Sequence, residues 1–374
     1  MSGIYIHIPF CKQSCYYCDF HFSTTMKRKE DMIDALCKEL ILRKDEMDQP
    51  IQSIYFGGGT PSLLTIEELR RLIDTVYEYH TISDEPEITL EANPDDLSKG
   101  KIKLLSKSQV NRLSIGVQSF NDEDLKLMNR AHNSKEAFES IQIAKDHFDN
   151  ISLDLIYGIP NMDIKRWMEN IQTFLSFKLP HLSAYALTVE PKTALHHFIE
   201  KEQILPMKES SYEEQYQLLL EVMEVNDYIN YEFSNFGKPT YFSKNNIAYW
   251  KGKTYLGIGP SAHSFNGEER MWNVRNNIKY IKSMDQNKLP KEIEVLSIND
   301  RYNEYIMTGL RTMWGISLEK IEREFGKNHK IYLLEQAEKH VQNKTIIKEN
   351  EQMKISRKGK FLSDGIASDL FMVN

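Results

Sequence analysis

The stretch IHIPFCKQSCYYCDF, residues 6–20, places three of the chain's four cysteines within eight residues of one another. Cys11, Cys15 and Cys18 follow the apolar segment GIYIHI at 3–8, which has the pattern of a buried strand. Thiolates at this spacing can surround a single inorganic centre without the closure of a long loop. The stretch therefore predicts a metal centre after the first strand, and its two candidates are zinc and an iron–sulfur cluster.

The number of cysteines bears on the choice between these two centres. A structural zinc ion needs four ligands, usually in two pairs, and no second pair follows Cys18. Zinc would have to recruit His7, Asp19 or His21. Three adjacent thiolates instead suit three corners of a four-iron cluster, whose fourth iron would be open to a small molecule. The fourth cysteine, Cys37, lies in a helical pattern and is expected to be a small side chain of the core.

Apolar segments with the pattern of strands alternate with helical segments along the first half of the chain. Strands are predicted at 3–8, 51–56, 87–92, 112–118, 151–158 and 181–188. Helical periodicity follows them, for example at 27–47, 64–80, 121–147 and 164–177. The alternation predicts an α/β fold with a parallel sheet, and its regular spacing favours a partial (β/α)6 TIM-like barrel. A doubly wound open sheet is the alternative.

Polar and glycine residues collect where these predicted strands end. They are Tyr5, His7, Gly57, Gly58, Gly59, Thr60, Glu91, Asn93, Gln118, Asp154 and Tyr185. In a parallel barrel the strand ends share one rim, where such folds carry their chemistry. The glycines would let main-chain groups approach a ligand closely, although a tight turn that needs positive φ is the other interpretation. One site could gather all of these residues.

The pattern changes after residue 190. A helix is predicted at 211–226, an aromatic-rich segment at 230–265 and an exposed connection at 285–294. Helical stretches at 299–313, 317–325 and 328–342, a hairpin at 345–356 and a closing helix give a winged-helix-like outline. We therefore predict a core barrel at 1–235, an aromatic-rich connecting region at 236–290 and a mostly helical C-terminal domain at 291–374.

Composition argues against several classes of protein. The chain of 374 residues is 41% hydrophobic and 27% charged, and its net charge is −7, which does not suit a surface that follows nucleic-acid phosphates. The mixed charge of the winged-helix outline favours a structural or protein-contacting role. There is no run of about 18 apolar residues that could span a membrane. Residues 1–10 lack the pattern of a secretory signal, so a cytoplasmic location is expected.

Further motifs carry a resemblance to a known family. In order from residue 5 to about 265 they are YIHIPFCKQSCYYCDF, GGGTPS, LEANP, GVQSF, MNRAH, DLIYGIP, ALTVEPKTAL and YLGIGPSAHSF. Together they resemble the HemN/HemW family of radical S-adenosylmethionine (SAM) proteins, and the C-terminal outline fits as well. The resemblance implies that Cys11, Cys15 and Cys18 hold a [4Fe–4S] cluster whose open iron binds SAM. It also implies contacts to SAM by Tyr5, Gly58, Gly59, Thr60, Glu91, Gln118, Arg130 and Asp154.

The family has two branches, oxygen-independent coproporphyrinogen III decarboxylases and heme-binding chaperones. The decarboxylases resemble this chain less closely, because they carry a further cysteine where this chain has Phe20 and an extension ahead of the first strand. We expect a heme chaperone that delivers heme to an unidentified acceptor protein, with a radical SAM oxidoreductase as the alternative and a plain metal-binding structural protein as a third hypothesis. SAM cleavage is compatible with the resemblance, decarboxylation is not expected, and no catalytic residue is assigned.

The expected heme site departs from the family pattern at one position. The chaperone branch usually reads His-Asn-x-x-Tyr-Trp, whereas this chain has Asn245 where the histidine is expected. An amide is a poor ligand for heme iron, so His263, His196 and His197 become the candidate ligands. Aromatic residues of 230–272 could stack on heme, with Lys244, Lys251 or Arg270 near its propionates. A nucleic-acid partner is not expected, and contact with a membrane is expected only through a partner protein.

Overall fold

A parallel sheet forms the centre of the protein in the computed structural model, which describes residues 2–373. Its first six strands are β1 (Gly3–Ile8), β2 (Ile51–Gly58), β3 (Ile82–Ala92), β4 (Arg112–Gln118), β5 (Ile151–Tyr157) and β6 (His181–Ala186). They pair in parallel in the order of the sequence. The predicted partial barrel is confirmed in its strands and their order.

Six helices lie in the connections between these strands. They are α1 (Lys29–Leu42), α2 (Ile66–Tyr79), α3 (Lys99–Leu105), α4 (Asp122–Leu127), α5 (Ser134–Lys145) and α6 (Ile164–Phe177). The prediction of one helix over 121–147 is wrong, because α4 ends before Asn129, which has a φ of 55°. Asn133 then begins α5 with a capping box to Glu136. The break between the two helices contains Arg130.

The two faces of the parallel strands differ in polarity. Ile4, Ile6 and Ile54 are fully buried members of the apolar core. Alternate positions carry polar side chains that contact one another across the strands: the Tyr55 hydroxyl donates to Glu91 (2.8 Å). Ser114 likewise donates to a carboxylate of the next strand (3.2 Å). Since successive side chains of a strand point to opposite faces, the interior of the partial barrel is polar.

The sheet continues beyond the six predicted strands. The further strands are β7 (Ile229–Glu232), β8 (Asn235–Gly237), β9 (Tyr255–Ile258), β10 (His263–Phe265), β11 (Glu269–Asn273) and β12 (Lys291–Val295). The accompanying helices are α7 (Ala194–Glu200), α8 (Glu209–Val225), α9 (Lys244–Trp250) and α10 (Asn277–Asp285). β8 pairs antiparallel with β6, and β9 pairs parallel with the other side of β1. The first strand therefore lies inside a sheet of twelve strands.

The C-terminal part has its own apolar core. Its elements are α11 (Ile298–Leu310), β13 (Ile316–Ser317), α12 (Leu318–Phe325), α13 (Lys327–Gln342), β14 (Ile346–Glu349), β15 (Gln352–Ile355) and α14 (Ser363–Asp369). β14 and β15 form the predicted hairpin, and β13 pairs with β15 to complete a small sheet. The mostly helical, winged-helix-like outline is confirmed. Across residues 2–373, each helix is too short or too polar to cross a membrane.

A buried ion pair fastens α1 to the later strands. Glu39 is fully buried, and its partner Arg43 is 1% exposed. Arg43 also donates to the Gly257 carbonyl (2.8 Å) in β9. Glu39 accepts hydrogen bonds from Arg43 (3.0 Å), Gly259 N–H (2.8 Å), Asn273 (2.7 Å) and Tyr280 (2.5 Å). One carboxylate thus connects elements more than 200 residues apart in sequence.

Replacing Glu39 should destabilise the protein strongly. Glu39→Ala leaves the buried Arg43 with only the partly exposed Glu46 as an ionic partner and removes the acceptor for Gly259, Asn273 and Tyr280, so we expect a loss of about 3–5 kcal/mol. Glu46→Ala is the matched control, because Glu46 also pairs with Arg43 but its side chain is 30% exposed, and it should cost at most about 1 kcal/mol. Thermal denaturation followed by circular dichroism compares the two variants. Equal losses would contradict the role given to Glu39.

Candidate functional site

The three neighbouring cysteines lie on a loop that leaves the carboxyl end of β1. Backbone hydrogen bonds close its base, from Cys11 N–H to the Ser23 carbonyl (3.0 Å) and from Ser23 N–H to the Pro9 carbonyl (2.9 Å). Within the loop, Cys18 N–H donates to the Cys15 carbonyl (3.3 Å). All three cysteines are half-buried and free of disulfides. The loop therefore presents three thiols from a fixed base.

The spacing of the sulfur atoms does not match a single zinc ion held by all three cysteines. Thiolates that share one zinc ion lie about 3.8 Å apart, because Zn–S bonds are about 2.3 Å long and tetrahedral. Within residues 2–373, the three Sγ atoms do not all come within 4.8 Å of one another. The histidines considered as zinc ligands have other partners: His7 Nε2 contacts the His21 carbonyl (2.8 Å), and His21 Nε2 contacts Asn277 (2.7 Å).

Burial keeps the thiols of Cys11 and Cys18 protonated in the metal-free protein. It raises the pKa of Cys11 to about 11 and the pKa of Cys18 to about 11. Thiolate is the form that binds metal, so loading of the site must release protons. Cys37 lies elsewhere, 6% exposed in the core on α1, and the prediction of a core position for it is confirmed.

The glycines after β2 bring the next loop against the cysteine loop. Gly59 N–H donates to the Ile8 carbonyl (2.9 Å), and Thr60 N–H donates to the Phe10 carbonyl (2.7 Å). A Cβ at Gly59 would lie 2.6 Å from the Phe10 oxygen, and one at Gly58, whose φ is +104°, would lie 2.4 Å from the ring of His7. The glycines are therefore required by contact between two segments of the chain, in addition to any approach to a ligand.

A cavity of about 490 Å³ opens at this rim. Nearly all of the predicted site residues line it: Cys11, Cys15, Cys18, Gly58, Gly59, Thr60, Glu91, Gln118, Arg130 and Asp154. Tyr5 does not line the cavity; its hydroxyl contacts His7 Nδ1 (3.3 Å) below the rim, and its ring stacks on Tyr55. Ser114 also lines the cavity, although it was not predicted. It alternates along β4 with Arg112 and Gly116, and this period of two could have placed it on the same face of the strand.

Arg130 reaches the cysteine loop from the break between α4 and α5. Its guanidinium donates to Cys15 Sγ (3.3 Å), to Asn93 Oδ1 (2.7 Å) and to the Gly116 carbonyl (2.8 Å). Its Nε is buried and has no partner among the described residues. Gln118 also departs from regular structure, since its φ is 68° where the pairing of β4 with β5 shifts. Such irregularities redirect side chains at functional sites.

Two carboxyl groups face the cavity from β3 and β5. Burial raises the pKa of Glu91 to about 7, and the nearby Asp154 charge acts in the same direction, against the hydrogen bond from Tyr55. Burial likewise raises the pKa of Asp154 to about 6. Both groups therefore lack the solvation that their ionised forms need, and a ligand with hydroxyl or ammonium donors would supply it.

The donor set fits an iron–sulfur cluster with a bound SAM. Three thiols stand at the mouth of a cavity that also presents two carboxylates, one arginine and a main-chain segment that has no room for Cβ atoms. Carboxylates can accept from ribose hydroxyls or an ammonium group, and a guanidinium can pair with a carboxylate. The unpartnered Arg130 Nε marks one donor that a ligand could use.

Comparison with known proteins gives matches along most of the chain. A model of the Radical SAM superfamily matches residues 5–174, and a model of the HemN C-terminal domain matches residues 296–362. The heme chaperone HemW of Bacillus subtilis is 36% identical, over 88% of this chain and 88% of that protein. The heme chaperone HemW of Lactococcus lactis is 34% identical, over 98% of this chain and 96% of that protein.

A solved structure shows the same fold. The coproporphyrinogen III oxidase HemN from Escherichia coli, described as a radical SAM enzyme, superposes with a TM-score of 0.86. The superposition covers 99% of this chain and 90% of that chain, at 22% sequence identity. At this identity the likeness concerns the fold.

Anaerobic reconstitution should load one four-iron cluster that depends on each loop cysteine. Cys11→Ala, Cys15→Ala and Cys18→Ala should each abolish it, because no other thiol lies on this loop. Iron and sulfide analysis with the visible absorption spectrum measures the loading. Cys37→Ala is the control and should load fully. A full iron and sulfide content in Cys15→Ala would contradict the assignment.

Glu91→Gln should stabilise the cofactor-free protein at alkaline pH. The folded-state pKa of Glu91, about 7, exceeds its ordinary value of 4.5, so its stabilising effect is present below pH 4.5 and is lost as the pH rises through 7. Glutamine avoids this loss, which amounts to about 3 kcal/mol at about 1.4 kcal/mol per pKa unit. The thermal midpoint of Glu91→Gln should exceed that of the wild type at pH 8.

The same pair of proteins at pH 5 is the control, since Glu91 is protonated in the fold there and the difference should fall to about 1 kcal/mol or less. Addition of SAM to the cluster-loaded proteins at pH 8 should raise the midpoint of the wild type more than that of Glu91→Gln. A midpoint of Glu91→Gln below that of the wild type at pH 8 and at pH 5 alike would show that the carboxylate is not strained.

Proposed function

Because the chain belongs to the HemW branch of the HemN/HemW radical SAM family, we propose that it is a heme-binding chaperone that holds a SAM-ligated [4Fe–4S] cluster and delivers heme to an acceptor protein. The observation that carries the proposal is the similarity to HemW proteins at 34–36% identity over nearly the whole chain, together with the three cysteines around one cavity.

The rim residues have separate roles in this proposal. Cys11, Cys15 and Cys18 hold the cluster. When bound, the cluster supplies an open iron for SAM and an electron for its reductive cleavage. Glu91, Gln118 and Asp154 accept from the ribose and ammonium donors of SAM, and Arg130 pairs with its carboxylate while it holds the Cys15 sulfur. Gly58, Gly59 and Thr60 form the main-chain wall, and Tyr5 supports that wall from below through Tyr55 and His7.

Heme is proposed to bind on the aromatic surface formed by α9 and the strands beside it. Tyr249 is 51% exposed, and its ring lies 5.5 Å from that of Trp250 and 5.7 Å from that of Tyr255. Phe265 continues the series at 6.4 Å from Tyr255. Heme is a large, mostly apolar ring, and contiguous aromatic side chains provide the area to stack on it. Lys251 follows α9, with its ammonium 4.1 Å from the centre of the Trp314 ring, and is proposed to pair with a propionate.

The candidate iron ligands lie on three different elements: α9, β10 and α7. Asn245 lies in the first turn of α9 on the same helix face as Tyr249, and its backbone N–H donates to the Glu87 carboxylate (3.3 Å). His263 is exposed on β10, beside the strand that carries Tyr255. His196 and His197 lie on α7 with Glu200 as their partner (3.4 and 3.2 Å). Of these candidates we propose His263 as the iron ligand, because its strand pairs with the strand that carries Tyr255 of the aromatic surface.

A coproporphyrinogen III decarboxylase is the second candidate function, because the fold is that of the HemN structure. Against it stands Phe20, which occupies the position of the further cysteine of the decarboxylases and is 67% exposed at the mouth of the cavity. An exposed phenyl ring there can contact a partner or ligand but cannot bind iron.

We propose three regions along the chain and a protein partner for the last of them. We divide the chain into a radical SAM core at 1–235, a connecting region at 236–290 that adds strands to the sheet, and a C-terminal domain at 291–374 that contacts partner proteins. The acceptor of heme is unidentified, and any association with a membrane would occur through it. We also propose that the protein resides in the cytoplasm.

The cluster-loaded protein should bind heme and should not convert coproporphyrinogen III to protoporphyrinogen IX. Heme titration by absorption spectroscopy measures the first property, and product analysis with reduced, SAM-loaded protein measures the second. Asn245→His should give a sharper Soret band than the wild type, because imidazole ligates heme iron and an amide does not. Tyr249→Ala should weaken heme binding by about fivefold to tenfold through the loss of stacking area.

Tyr77→Ala is the matched control, since Tyr77 is 42% exposed on α2 and takes no part in the ring contacts of the aromatic surface, so this variant should bind heme like the wild type. Decarboxylation by the wild type would overturn the assignment to the chaperone branch. If Tyr249→Ala binds heme with the affinity of the wild type, heme does not bind on the aromatic surface of α9.

A further inference from the structure

A second cavity, of about 220 Å³, lies between the C-terminal part and the β7–β8 edge of the sheet. We call it the joint cavity. Its lining is Tyr216, Asn230, Phe233, Leu310, Arg311, Thr312, Met313, Lys354, Ile355, Lys360 and Ser363. None of the cysteine-loop residues contributes to it, so it is separate from the site described above.

The joint cavity is lined by cations and no carboxylate. Arg311, Lys354 and Lys360 contribute three positive charges in a chain whose net charge is −7. The nearby acids lie outside the lining and have partners: Asp364 accepts from Arg311 Nη1 (2.7 Å), and Glu224 accepts from Arg357 (2.5 Å). The buried Glu232 accepts from Ser234 N–H and from the Asn235 side chain. A concentration of like charge in a recess destabilises the fold unless a ligand or solvent offsets it.

Two buried polar groups of the lining have no partner in the part of the chain that the structure describes. Ser363 is 2% exposed, and its hydroxyl makes no hydrogen bond. Arg311 Nε is also buried and unpaired, although its guanidinium is held in place by Phe233, 5.0 Å away, and Trp250, 5.4 Å away. Buried polar groups are nearly always hydrogen-bonded in folded proteins, so these donors call for an acceptor in the cavity.

Lys360 has no anionic hydrogen-bond partner among the described residues. Its Nζ donates to the Asn230 side chain, a neutral partner. Burial lowers the pKa of Lys360 to about 8, and Arg357 acts in the same direction while Glu224 opposes it. An ammonium group in this position gains more from an anion than an exposed lysine would, because water does not already satisfy it.

We propose that the joint cavity is a binding site for a small oxyanion, namely a phosphate or carboxylate group. Arg311 offers a fixed, partly unpaired guanidinium, Lys354 and Lys360 offer point charges, and Ser363 offers a hydroxyl donor. Planar guanidinium with ammonium and hydroxyl groups is the donor set that recognises such anions. The volume of about 220 Å³ admits one phosphate with its remaining water.

The cavity can receive its oxyanion from two sources. A free phosphate would enter from solvent, whereas a carboxylate could be the propionate of a heme on the aromatic surface, because Trp250 of that surface contacts Arg311. Only the second source rests on the proposed function.

Isothermal titration calorimetry of the full chain with inorganic phosphate, at constant ionic strength set with chloride, tests the site. The wild type should show saturable binding, and Lys360→Met and Arg311→Gln should each weaken it at least tenfold, since each removes a charge-assisted hydrogen bond. Lys360→Arg should retain most of the affinity. Lys165→Met is the control, because Lys165 is 82% exposed on α6, and its affinity should stay within twofold.

Heme and its dimethyl ester, which lacks free carboxylates, distinguish the sources. Weaker binding of the ester, with the difference lost in Lys360→Met, would identify a propionate as the oxyanion even if free phosphate binds weakly. Phosphate binding with equal affinities for heme and ester would identify the free anion. The proposal is overturned if neither phosphate nor the carboxylates of heme distinguish wild type from Lys360→Met, provided that the variant unfolds at the temperature of the wild type.

Discussion

Contact between two backbones, at Gly59, sets the geometry of the whole rim. The loop after β2 approaches the end of β1 so closely that a single methyl group would collide with the Phe10 carbonyl. Two hydrogen bonds, from Gly59 and Thr60, then fix the position of the cysteine loop against the second strand. Because β1 to β5 are hydrogen-bonded side by side in parallel, this contact also helps to fix the distance from the cysteines to Glu91 and Asp154.

The polar interior of the barrel is kept at the expense of stability. Burial raises the pKa of Glu91 and of Asp154, and Arg112, which is 2% exposed in β4, opposes that shift. The Nε atom of Arg112 has no partner within the described residues. Apolar side chains at these positions would pack at lower cost. Their polarity is understandable for a surface that is completed by a charged ligand, since functional sites often retain such strain.

Local patterns in the sequence predicted the strands well and the contacts between distant segments poorly. The six strands from β1 to β6 follow from runs of apolar residues, and the hairpin of β14 and β15 follows from its central charges. β9 was missed because YLGI is only four residues long, and its place beside β1 depends on pairing across some 250 residues. The Glu39 network was missed for the same reason.

The site was predictable to a similar degree and for similar reasons. Motif positions predicted most residues of the rim, while the helix period hid the break at Asn129 that brings Arg130 to Cys15. A period of 3.6 residues continues across a short loop when both flanking helices are amphipathic. Tyr5 was expected to contact the ligand; it lies outside the lining of the cavity, with its ring stacked on Tyr55.

The position of β1 between β2 and β9 has a consequence for synthesis on the ribosome. Chains emerge from their N-terminus, so β1 can pair with β2 early but must wait for residues 255–258 before its second edge is covered. Until then the nascent sheet exposes an unpaired edge beside the cysteine loop. The pairing of β1 with β2 and the covering of its other edge by β9 are thus separated in time, and the cysteine loop sits beside an open edge during that interval.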